Sequence, residues 1–499
     1  MSRSTTPQSW AGAIALLAVT GLATTGCAGV SAVEPRAHES VARAAVGERP
    51  NVLMITVDDA SPHNLRYMPN VQRLIARRGV TLTNGVAPTP ICVPARASLL
   101  TGQYAHNHGT HTIAGPQGGF RSFDDQDTLP VWLSDAGYDT LFVGKYLNGY
   151  GEGDASQRYV PPGWSQWRAT VGSSTYNYVW PKVNVNGRLQ RVDTYNTDLF
   201  SRYTVDLLTE RRRLRKPWFM MVNYVAPHAG GPREADDPLV THPGTRPRVT
   251  TPYVADRHRD AFDDLELPTT PDMFEADPSD KARAARASRR WSSLGRSKLR
   301  EAHQQRVESL LAVDEAVAKA VRALRRTGQL RSTVISFSSD NGYLVGQHNR
   351  KAKLIHYEES LKVPMLLAGP GIPRGRRVAT QVTNADLPTT IAAIAGATPT
   401  RLQDGVDIRP LLRRARQDRV VPIHAWRVRD GSRSVYRGVR TDAWTYVRFA
   451  NGEEELYDHA KDPFQLSNLA KRRKHRSTVR EMRSLTSRYN SCAGPSCAG

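Results

Sequence analysis

Cysteine is scarce in this chain, with 4 residues in 499, and this scarcity limits the disulfides that can form. Cys27 lies in an apolar N-terminal segment and Cys92 in a proline-containing motif. Only Cys492 and Cys497 remain as near neighbours in sequence. In an oxidising compartment these two would close a short loop. We therefore expect one disulfide, between Cys492 and Cys497.

Acidic side chains are also in short supply. The 69 Lys and Arg residues outnumber the 47 Asp and Glu residues, which gives a formal net charge of +22. The sequence has no helix-turn-helix, zinc-finger or RNA-binding signature and no internal repeats, so we expect no nucleic-acid partner. A sulfated or phosphorylated polyanion is the other class of partner that such a charge attracts.

The apolar run near the N-terminus is too short to span a bilayer. It covers residues 10–22, follows Arg3, and is followed by small residues up to Cys27. This pattern is typical of an export signal, which we place at residues 1–27. Gly26-Cys27 indicates lipoprotein cleavage with lipidation of Cys27. Because Thr24 stands where a large aliphatic residue is usual, ordinary cleavage nearby is the alternative. Residues 28–48 are then a linker, and the mature protein would be extracellular or attached to the outer face of the cell membrane.

The sequence does contain a series of apolar runs typical of buried strands. Residues 51–57 form a continuous run rich in β-branched side chains, which predicts a buried strand of a parallel sheet. Four further runs predict strands of the same kind, at residues 140–144, 217–225, 332–338 and 365–368. Ligands of open α/β sheets bind at the carboxyl ends of the strands. We therefore expect the functional site at that edge.

The remaining segments predict helices and a second, smaller sheet. Helices are expected at residues 68–79, 128–137, 301–324 and 477–489. The segment 241–300, rich in Pro, Asp and Arg, predicts a long excursion over the rim of the site. Residues 434–439 and 444–449 alternate like antiparallel strands, and Asn451-Gly452 is typical of a hairpin turn. The sequence thus predicts a catalytic domain over 49–409 and a small α+β subdomain over 410–499.

Polar residues with oxygen ligands follow two of the predicted strands. Asp58 and Asp59 come directly after the first strand, and Asp340 and Asn341 follow the strand at 332–338. Two adjacent carboxylates at the end of a buried strand repel each other unless a cation lies between them. Hard oxygen ligands favour Ca²⁺, with Mg²⁺ as the alternative, over Zn²⁺. A helix cap or a surface turn is the other interpretation of either Asp.

Basic side chains follow two other predicted strands. Lys145 lies within Gly-Lys-Tyr-Leu-Asn-Gly-Tyr, and His228 follows the strand at 217–225. A lysine at a strand end can direct its ammonium into the cleft, and a histidine there can act as a general acid. The plainer interpretations are a surface lysine and a loop histidine. Charges of both signs at one sheet edge indicate a site for an anion and a metal.

The stretch 90–102, Pro-Ile-Cys-Val-Pro-Ala-Arg-Ala-Ser-Leu-Leu-Thr-Gly, carries the most specific signal. Pro94 suits the first turn of a helix, so Cys92 would lie at a helix start, where free N–H groups favour negative charge. Arg96 lies four residues later, so its side chain can point back to the same end of the helix. The arrangement indicates an anion-processing site, whereas a buried structural cysteine and a surface arginine are the plainer interpretations.

This Cys-x-Pro-x-Arg motif with its downstream Leu-Thr-Gly resembles the signature of the type I sulfatases, whose cysteine is oxidised to formylglycine. The resemblance extends over about residues 51–469. It implies an α/β fold, an alkaline-phosphatase-like sandwich with a large mixed, mostly parallel central sheet. It also implies maturation by a formylglycine-generating enzyme. The motifs at 144–150 and 159–164 look most like the branch of the N-acetylglucosamine-6-sulfatases and related arylsulfatases.

The resemblance also implies roles for single residues. It implies metal ligation by Asp58, Asp59, Cys92 in its modified form, Asp340 and Asn341. It implies cationic and acid–base roles for Arg96, Lys145, His228 and Lys353, the last of which lies four residues before Tyr357-Glu358. The implied reaction is hydrolysis of sulfate monoesters, either aryl sulfates or sugar 6-sulfates, through a metal-bound formylglycine hydrate at position 92. The implied partner is a sulfated small molecule or glycan.

One departure and three alternatives accompany the resemblance. Many sulfatases carry a histidine shortly after the motif lysine, where this chain has Tyr146, Leu147 and Asn148, so sulfate release would use Asn148 with a water or a different histidine.

The first alternative is a phosphonate or phosphodiester hydrolase of the same superfamily. The second is an inactive polyanion-binding surface lipoprotein. The third is a zinc enzyme, whose ligands would be His106, His108 and His111; these residues lack a partner motif, and loop or packing roles are favoured.

Overall fold

The computed structural model describes residues 49–153, 156–286, 290–414, 417–429 and 431–498. The predicted export signal, the linker at 28–48 and Cys27 lie outside the described residues. The strands are, in chain order, β1 (Asn51–Val57), β2 (Gly79–Leu82), β3 (Gly85–Val86), β4 (Asp139–Gly144), β5 (Gln166–Thr170), β6 (Lys182–Val185), β7 (Arg188–Arg191), β8 (Trp218–Asn223), β9 (Thr333–Ser339), β10 (Leu344–Val345), β11 (Lys351–Ala352), β12 (Met365–Ala368), β13 (Arg376–Val378), β14 (Val382–Thr383), β15 (Val421–Trp426), β16 (Ser434–Arg440), β17 (Trp444–Phe449) and β18 (Glu454–Asp458). The α-helices are α1 (Pro69–Leu74), α2 (Cys92–Thr101), α3 (Ala105–His108), α4 (Leu129–Asp135), α5 (Asn196–Glu210), α6 (Pro238–Thr241), α7 (Ser293–Arg326), α8 (Glu358–Leu361), α9 (Asp386–Ala395) and α10 (Arg476–Tyr489).

A mixed sheet of ten strands forms the centre of the fold, in the order β13-β2-β12-β9-β1-β8-β4-β5-β6-β7. The five central strands, from β9 to β5, run parallel to one another. Antiparallel strands flank them on both sides. The predicted α/β fold with a large, mostly parallel sheet is confirmed.

Helices cover both faces of this sheet because its central strands are apolar on both sides. Along β1, Val52 and Met54 pack in the cluster that includes α2, α4 and α9. Leu53, Ile55 and Val57 point the other way, into the cluster that includes α1, α5 and α7. This alternation explains why residues 51–57 read as one continuous apolar run.

The structure differs from the sequence prediction at two helices. The helix expected at 68–79 ends at Leu74; a short 3₁₀ turn follows, and Gly79 begins β2. The helix expected at 301–324 already starts at Ser293, capped by the Ser292 hydroxyl, which accepts a hydrogen bond from Gly295 N at 3.2 Å. Polar residues fill this first part of α7, so the apolar periodicity of the later turns does not extend to it.

A second, antiparallel sheet of four strands, β15-β16-β17-β18, follows near the C-terminus. Helix α10 packs Val479 and Met482 against Tyr446 and other residues of this sheet. The sheet also shares an apolar cluster with Tyr357 from the preceding part of the chain. A domain boundary near residue 410 stays a prediction. No helix in the described ranges combines the length and apolar character that crossing a membrane requires.

Candidate active site

Four parallel strands bring the predicted site residues to one edge of the sheet. In the register of β1, Val57 lies opposite Ser339 of β9, and Thr56 lies opposite Asn223 of β8. Gly144 of β4 lies opposite the same Asn223. The strands therefore end at one level, and the residues that follow them meet. Gly144 has a φ of +108°, and a Cβ there would lie 2.1 Å from the Asn223 carbonyl oxygen, so only glycine fits before Lys145.

Three carboxylates occupy this edge. Asp58 and Asp340 are fully buried and Asp59 is 2% exposed. One oxygen of each lies within 4.8 Å of the others. Asp59 has a left-handed backbone, with φ of +73°, and its N–H donates to Asp340 Oδ1 at 3.2 Å. Such a backbone is strained for aspartate, and strain of this kind is concentrated at functional sites.

Asn341 adds a neutral oxygen to the carboxylates. Its Nδ2 donates to Asp59 Oδ1 at 2.6 Å and to Gly342 O at 2.9 Å. Its Oδ1 is buried and has no hydrogen-bond partner among the described residues. A buried amide oxygen of this kind is unfavourable unless a ligand engages it. The all-oxygen set fits a hard cation such as Ca²⁺ or Mg²⁺.

Cys92 is the first residue of α2 and faces the carboxylates. Its Sγ lies 3.5 Å from Asp58 Oδ1 and 2.9 Å from Lys353 Nζ. Burial, with Asp58 as the next cause, raises the pKa of the Cys92 thiol to about 12. Every residue of α2 is buried, and the helix ends at Gly102, whose left-handed φ of +69° forms the cap. The buried helix holds residue 92 in place.

Three fixed cations surround the carboxylates. Arg96 Nε lies 2.8 Å from Asp340 Oδ2, and its Nη2 lies 3.4 Å from Asp58 Oδ2. Lys145 pairs with Asp58, and Lys353 pairs with Asp59. Burial alone would raise the pKa of the Asp58 carboxyl, but Lys145 and the other nearby cations lower it well below its usual value. Burial and then Asp58 raise the pKa of Asp340 to about 6.

His228 lies at the outer side of the cluster and is 23% exposed. Its Nδ1 is 2.7 Å from Ala229 O, and its Nε2 is 3.8 Å from Asp59 Oδ2. Because a carbonyl oxygen only accepts, Nδ1 carries the proton and Nε2 remains for the cleft. Burial lowers the pKa of His228 to about 4, against the opposite effect of Asp58.

Two side chains at the site are absent from the sequence prediction. Arg306 of α7 donates from Nη1 to Pro227 O at 2.9 Å and from Nη2 to Asp59 O, and so joins two of the strand-end loops. Tyr176 packs on His228 with 4.7 Å between ring centroids, and Lys145 Nζ lies 4.8 Å from its ring centroid. The Tyr176 hydroxyl accepts from Asn148 Nδ2 at 2.8 Å. In the sequence, Arg306 looks like an ordinary polar position of a helix, and Tyr176 belongs to no recognisable motif.

The three histidines of the zinc alternative are engaged separately. His106 Nε2 lies 3.0 Å from Cys492 O, and His108 Nε2 lies 3.3 Å from Ser98 Oγ. The His111 ring stacks on Trp426 at 4.2 Å. None of the possible metal-binding groups among the described residues combines two of these histidines. Their positions agree with packing and loop roles.

The C-terminal cysteines form the expected disulfide. Cys492 and Cys497 are bonded, with 5.2 Å between their Cα atoms. In the described part of the chain, Cys92 is the free cysteine.

Comparison with known proteins identifies the family. The family model described as "Sulfatase" matches residues 50–397, and the model described as "N-sulphoglucosamine sulphohydrolase, C-terminal" matches residues 346–491. An arylsulfatase of Volvox carteri is 31% identical over 91% of this chain and 76% of its own length. The N-acetylglucosamine-6-sulfatase of Homo sapiens is 31% identical over 95% of this chain and 88% of its own length.

Solved structures share the fold. One, described as a complex with its substrate D-glucosamine-2-N,6-O-disulfate, superposes with a TM-score of 0.73 at 22% identity, over 88% of this chain and 97% of its own. The phosphonate monoester hydrolase of Agrobacterium radiobacter superposes with a TM-score of 0.63 at 21% identity, over 88% and 96%. The family matches span most of the described chain, and the chain belongs to the sulfatase family, a family of enzymes that hydrolyse sulfate esters.

Proposed function

We propose that this enzyme hydrolyses sulfate monoesters of sugars and uses residue 92, in its formylglycine form, as the nucleophile. The observation that carries the proposal is the position of Cys92 Sγ, 3.5 Å from Asp58 Oδ1 and 2.9 Å from Lys353 Nζ. In formylglycine the oxygens are bonded to Cβ, so the sulfur marks about where one of these oxygens would lie. A nucleophile there has metal-binding carboxylates on one side and a fixed cation on the other.

The oxygen cluster would hold the metal ion. The ligands would be Asp58, Asp59, Asp340, Asn341 and residue 92, and the unpartnered Asn341 Oδ1 supports this assignment. Ca²⁺, or Mg²⁺ in its place, supplies a Lewis acid that favours deprotonation of the attacking hydroxyl and polarises the ester. Formylglycine supplies an aldehyde whose hydrate offers one hydroxyl for attack on sulfur and a second for expelling sulfate.

The cations of the chain itself would bind the sulfate group. Arg96, Lys145 and Lys353 carry three positive charges beside the three carboxylates. These cations balance the charge of the carboxylates. The charge of a divalent metal would in turn be balanced by the anionic ester and the deprotonated hydroxyl, so the three together add no net charge to the site. Fixed cations then stabilise the charge that develops on the sulfate oxygens as the S–O ester bond breaks.

His228 would protonate the leaving alcohol. Its Nδ1–H donates to Ala229 O, which directs Nε2 away from that backbone. The same histidine lines a cleft of about 500 Å³ together with Tyr176, Arg233 and Thr251. To act as the acid, His228 must carry a proton on both ring nitrogens, a form that Asp58 and Asp59 favour against the effect of burial. The leaving oxygen would enter from this side and take the proton of Nε2. Arg233, Asp237 and Thr251 in the lining offer polar groups for sugar hydroxyls, and the similarity to N-acetylglucosamine-6-sulfatase supports a sugar 6-sulfate. Aryl sulfates are the alternative substrate.

Maturation and export are part of the proposal. Conversion of Cys92 requires a formylglycine-generating enzyme in the producing cell. The N-terminal pattern supports export, with Cys27 as the site of lipidation. Labelling with a radioactive fatty acid tests the anchor: wild type should take up label and Cys27→Ala should not, whereas an unlabelled, fully secreted wild type favours ordinary cleavage.

The mass of the peptide that contains residue 92 is the first test. Protein from its native host should carry an aldehyde at residue 92. An unmodified thiol in fully active protein would contradict the proposed nucleophile. Co-expression with a converting enzyme is the matched control, because it should raise the aldehyde fraction and the activity together.

Paired esters test the reaction and the substrate. A sulfate ester should be turned over faster than the phosphate or phosphonate ester of the same phenol; the reverse order would support the phosphonate hydrolase alternative. N-acetylglucosamine-6-sulfate should be a better substrate than an aryl sulfate. Arg233→Ala should lower activity on the sugar and leave the aryl ester largely unaffected, since Arg233 lines the cleft in which the sugar would lie.

A further inference from the structure

A second buried group of acidic and imidazole side chains lies outside the active site. It consists of Asp272, from the segment between α6 and α7, His348, from the loop between β10 and β11, and Glu359 of α8. One ligand atom from each lies within 4.8 Å of the others. Asp272 is fully buried, and His348 is 2% exposed. We call this group the Asp272 cluster.

Three potential metal-ligand atoms of the Asp272 cluster have no hydrogen-bond partner among the described residues. Neither carboxylate oxygen of Asp272 has a hydrogen-bond partner among the described residues. Nε2 of His348 is also buried and unpartnered within the same part of the chain. A buried carboxylate without a partner is strongly unfavourable in a folded protein. A bound cation would remove this penalty.

His348 is held in the form that a metal ligand requires. Its Nδ1 lies 2.9 Å from Glu275 Oε2, and the other Glu275 oxygen lies 2.9 Å from Lys281 Nζ. Because the paired Glu275 accepts the hydrogen bond, Nδ1 carries a proton, and Nε2 is the ring nitrogen that would serve as the ligand atom. The ring also stacks on Tyr357 at 3.7 Å, which fixes its plane. A carboxylate that orients a histidine in this way is typical of metal sites.

We propose that Asp272, His348 and Glu359 form a second metal site, which binds a divalent transition metal of the Zn²⁺ class. The choice of metal follows from the donors, since one imidazole nitrogen with two carboxylates suits Zn²⁺ better than Ca²⁺. Glu359 also lines a cavity of about 460 Å³, together with His63 and Tyr343. This cavity provides an entry path and room for a water as a further ligand.

The metal would join two segments that already meet. His348 N donates to Asp272 O at 2.8 Å, and Phe274 N donates to Gly346 O at 3.1 Å. Phe274 and His348 both have a left-handed backbone, with φ of +53° and +50°. Non-glycine residues keep such conformations only where the surroundings hold them. The loop of His348 continues to Lys353, so the site would anchor the segment that carries this lysine.

Metal analysis of the full-length, untagged enzyme tests the proposal. After extensive dialysis against metal-free buffer, we expect about one equivalent of transition metal per chain, either retained from purification or restored by incubation with ZnCl₂. X-ray absorption at the zinc edge should report a shell of nitrogen and oxygen. Protein that takes up no transition metal, or a shell that contains sulfur or only oxygen, would overturn the proposal. This measurement uses the wild type and does not depend on variants that fold.

Variants then locate the metal. Asp272→Asn and His348→Gln should lose the bound equivalent of transition metal. His303→Gln should keep it, because His303 is a buried histidine that lines the same cavity but lies outside the cluster. Glu275→Gln should keep the site but weaken zinc affinity about 10- to 100-fold, as expected of a residue that orients a ligand. Full metal content in folded Asp272→Asn would refute the assignment.

Discussion

The active-site cluster and the Asp272 cluster are both buried groups of acids, and they differ in what balances their charge. In the active site, Arg96, Lys145 and Lys353 pair with the carboxylates. In the Asp272 cluster, the aspartate oxygens have no hydrogen-bond partner among the described residues. A balanced cluster can take up a metal and an anion together. An unbalanced one attracts a cation alone.

The same comparison separates the two metals by donor type. The active site offers carboxylate and amide oxygens, which suit a hard ion that also contacts the substrate. The Asp272 cluster includes an imidazole, which suits a transition metal with a structural role. The active site should therefore dominate turnover, and the Asp272 cluster should dominate transition-metal content. Four predictions test the active-site half of this comparison, from the largest effect to the smallest.

The largest effect is expected from Cys92→Ala. Without the side chain at position 92 there is no nucleophile, so turnover of a sulfate ester should fall by at least about 10⁴-fold relative to formylglycine-containing wild type. The measurement is steady-state hydrolysis at saturating substrate. Transition-metal content should be unchanged, because Cys92 is not part of the Asp272 cluster. Activity close to wild type would remove residue 92 from the mechanism.

The second prediction concerns Lys353, which pairs with Asp59 and lies 2.9 Å from Cys92 Sγ. Lys353→Met should lower kcat/KM by about 10²- to 10³-fold, as expected when a fixed cation that stabilises the transition state is removed. Lys351→Met is the matched control: this lysine lies two residues away and donates to the Arg248 backbone, so activity should stay within a few-fold. Equal losses in both variants would mean that kcat/KM depends on the loop as a whole and not on the Lys353 charge.

Residues that directly follow apolar runs could be predicted from the sequence. β1 and β9 are buried almost throughout, as their β-branched and apolar residues predict, so Asp58 and Asp340 had to lie at the edge of a parallel sheet. Their mutual distance could not be predicted, because periodicity does not specify strand order. Lys353 follows no such strand, and only its match to a family motif identified it.

Side chains that reach the site from a distance could not be predicted. Arg306 lies on a helix whose pattern shows only which positions are apolar, and its burial results from the way α7 crosses the strand-end loops. The Asp272 cluster combines three separate loop and helix segments with no shared motif. A contact between Asp272 and His348 depends on the course of the long segment before α7, which has no regular pattern.

The third prediction follows from the contacts of Arg306, which is 4% exposed. Arg306→Met should lower the free energy of unfolding by roughly 3 kcal/mol, because hydrogen bonds from a buried charge to two loop carbonyls are lost. Chemical denaturation of the enzyme provides the measurement. Arg322→Met, an exposed position on the same helix, should leave stability nearly unchanged. Comparable losses in the two variants would argue against a special role for the Arg306 contacts.

The smallest effect is expected from the hydrogen bond between Asn148 and Tyr176. Tyr176→Phe keeps the ring that contacts His228 and Lys145 and removes only the hydroxyl that accepts from Asn148 at 2.8 Å. One such bond contributes about 1 kcal/mol, so kcat/KM should fall about 5-fold. Tyr176→Ala, which also removes the ring, should cost clearly more.

A double-mutant cycle shows whether Asn148 acts through Tyr176 or on the ester itself. If the amide only positions the tyrosine, Asn148→Ala and Tyr176→Phe remove the same bond, and the double variant should be no slower than either single variant. Asn148 Oδ1 is buried without a partner among the described residues, so the amide could also hold a water for sulfate release. In that case the two losses would multiply, and Asn148 would take the place that a histidine after the motif lysine has in many sulfatases.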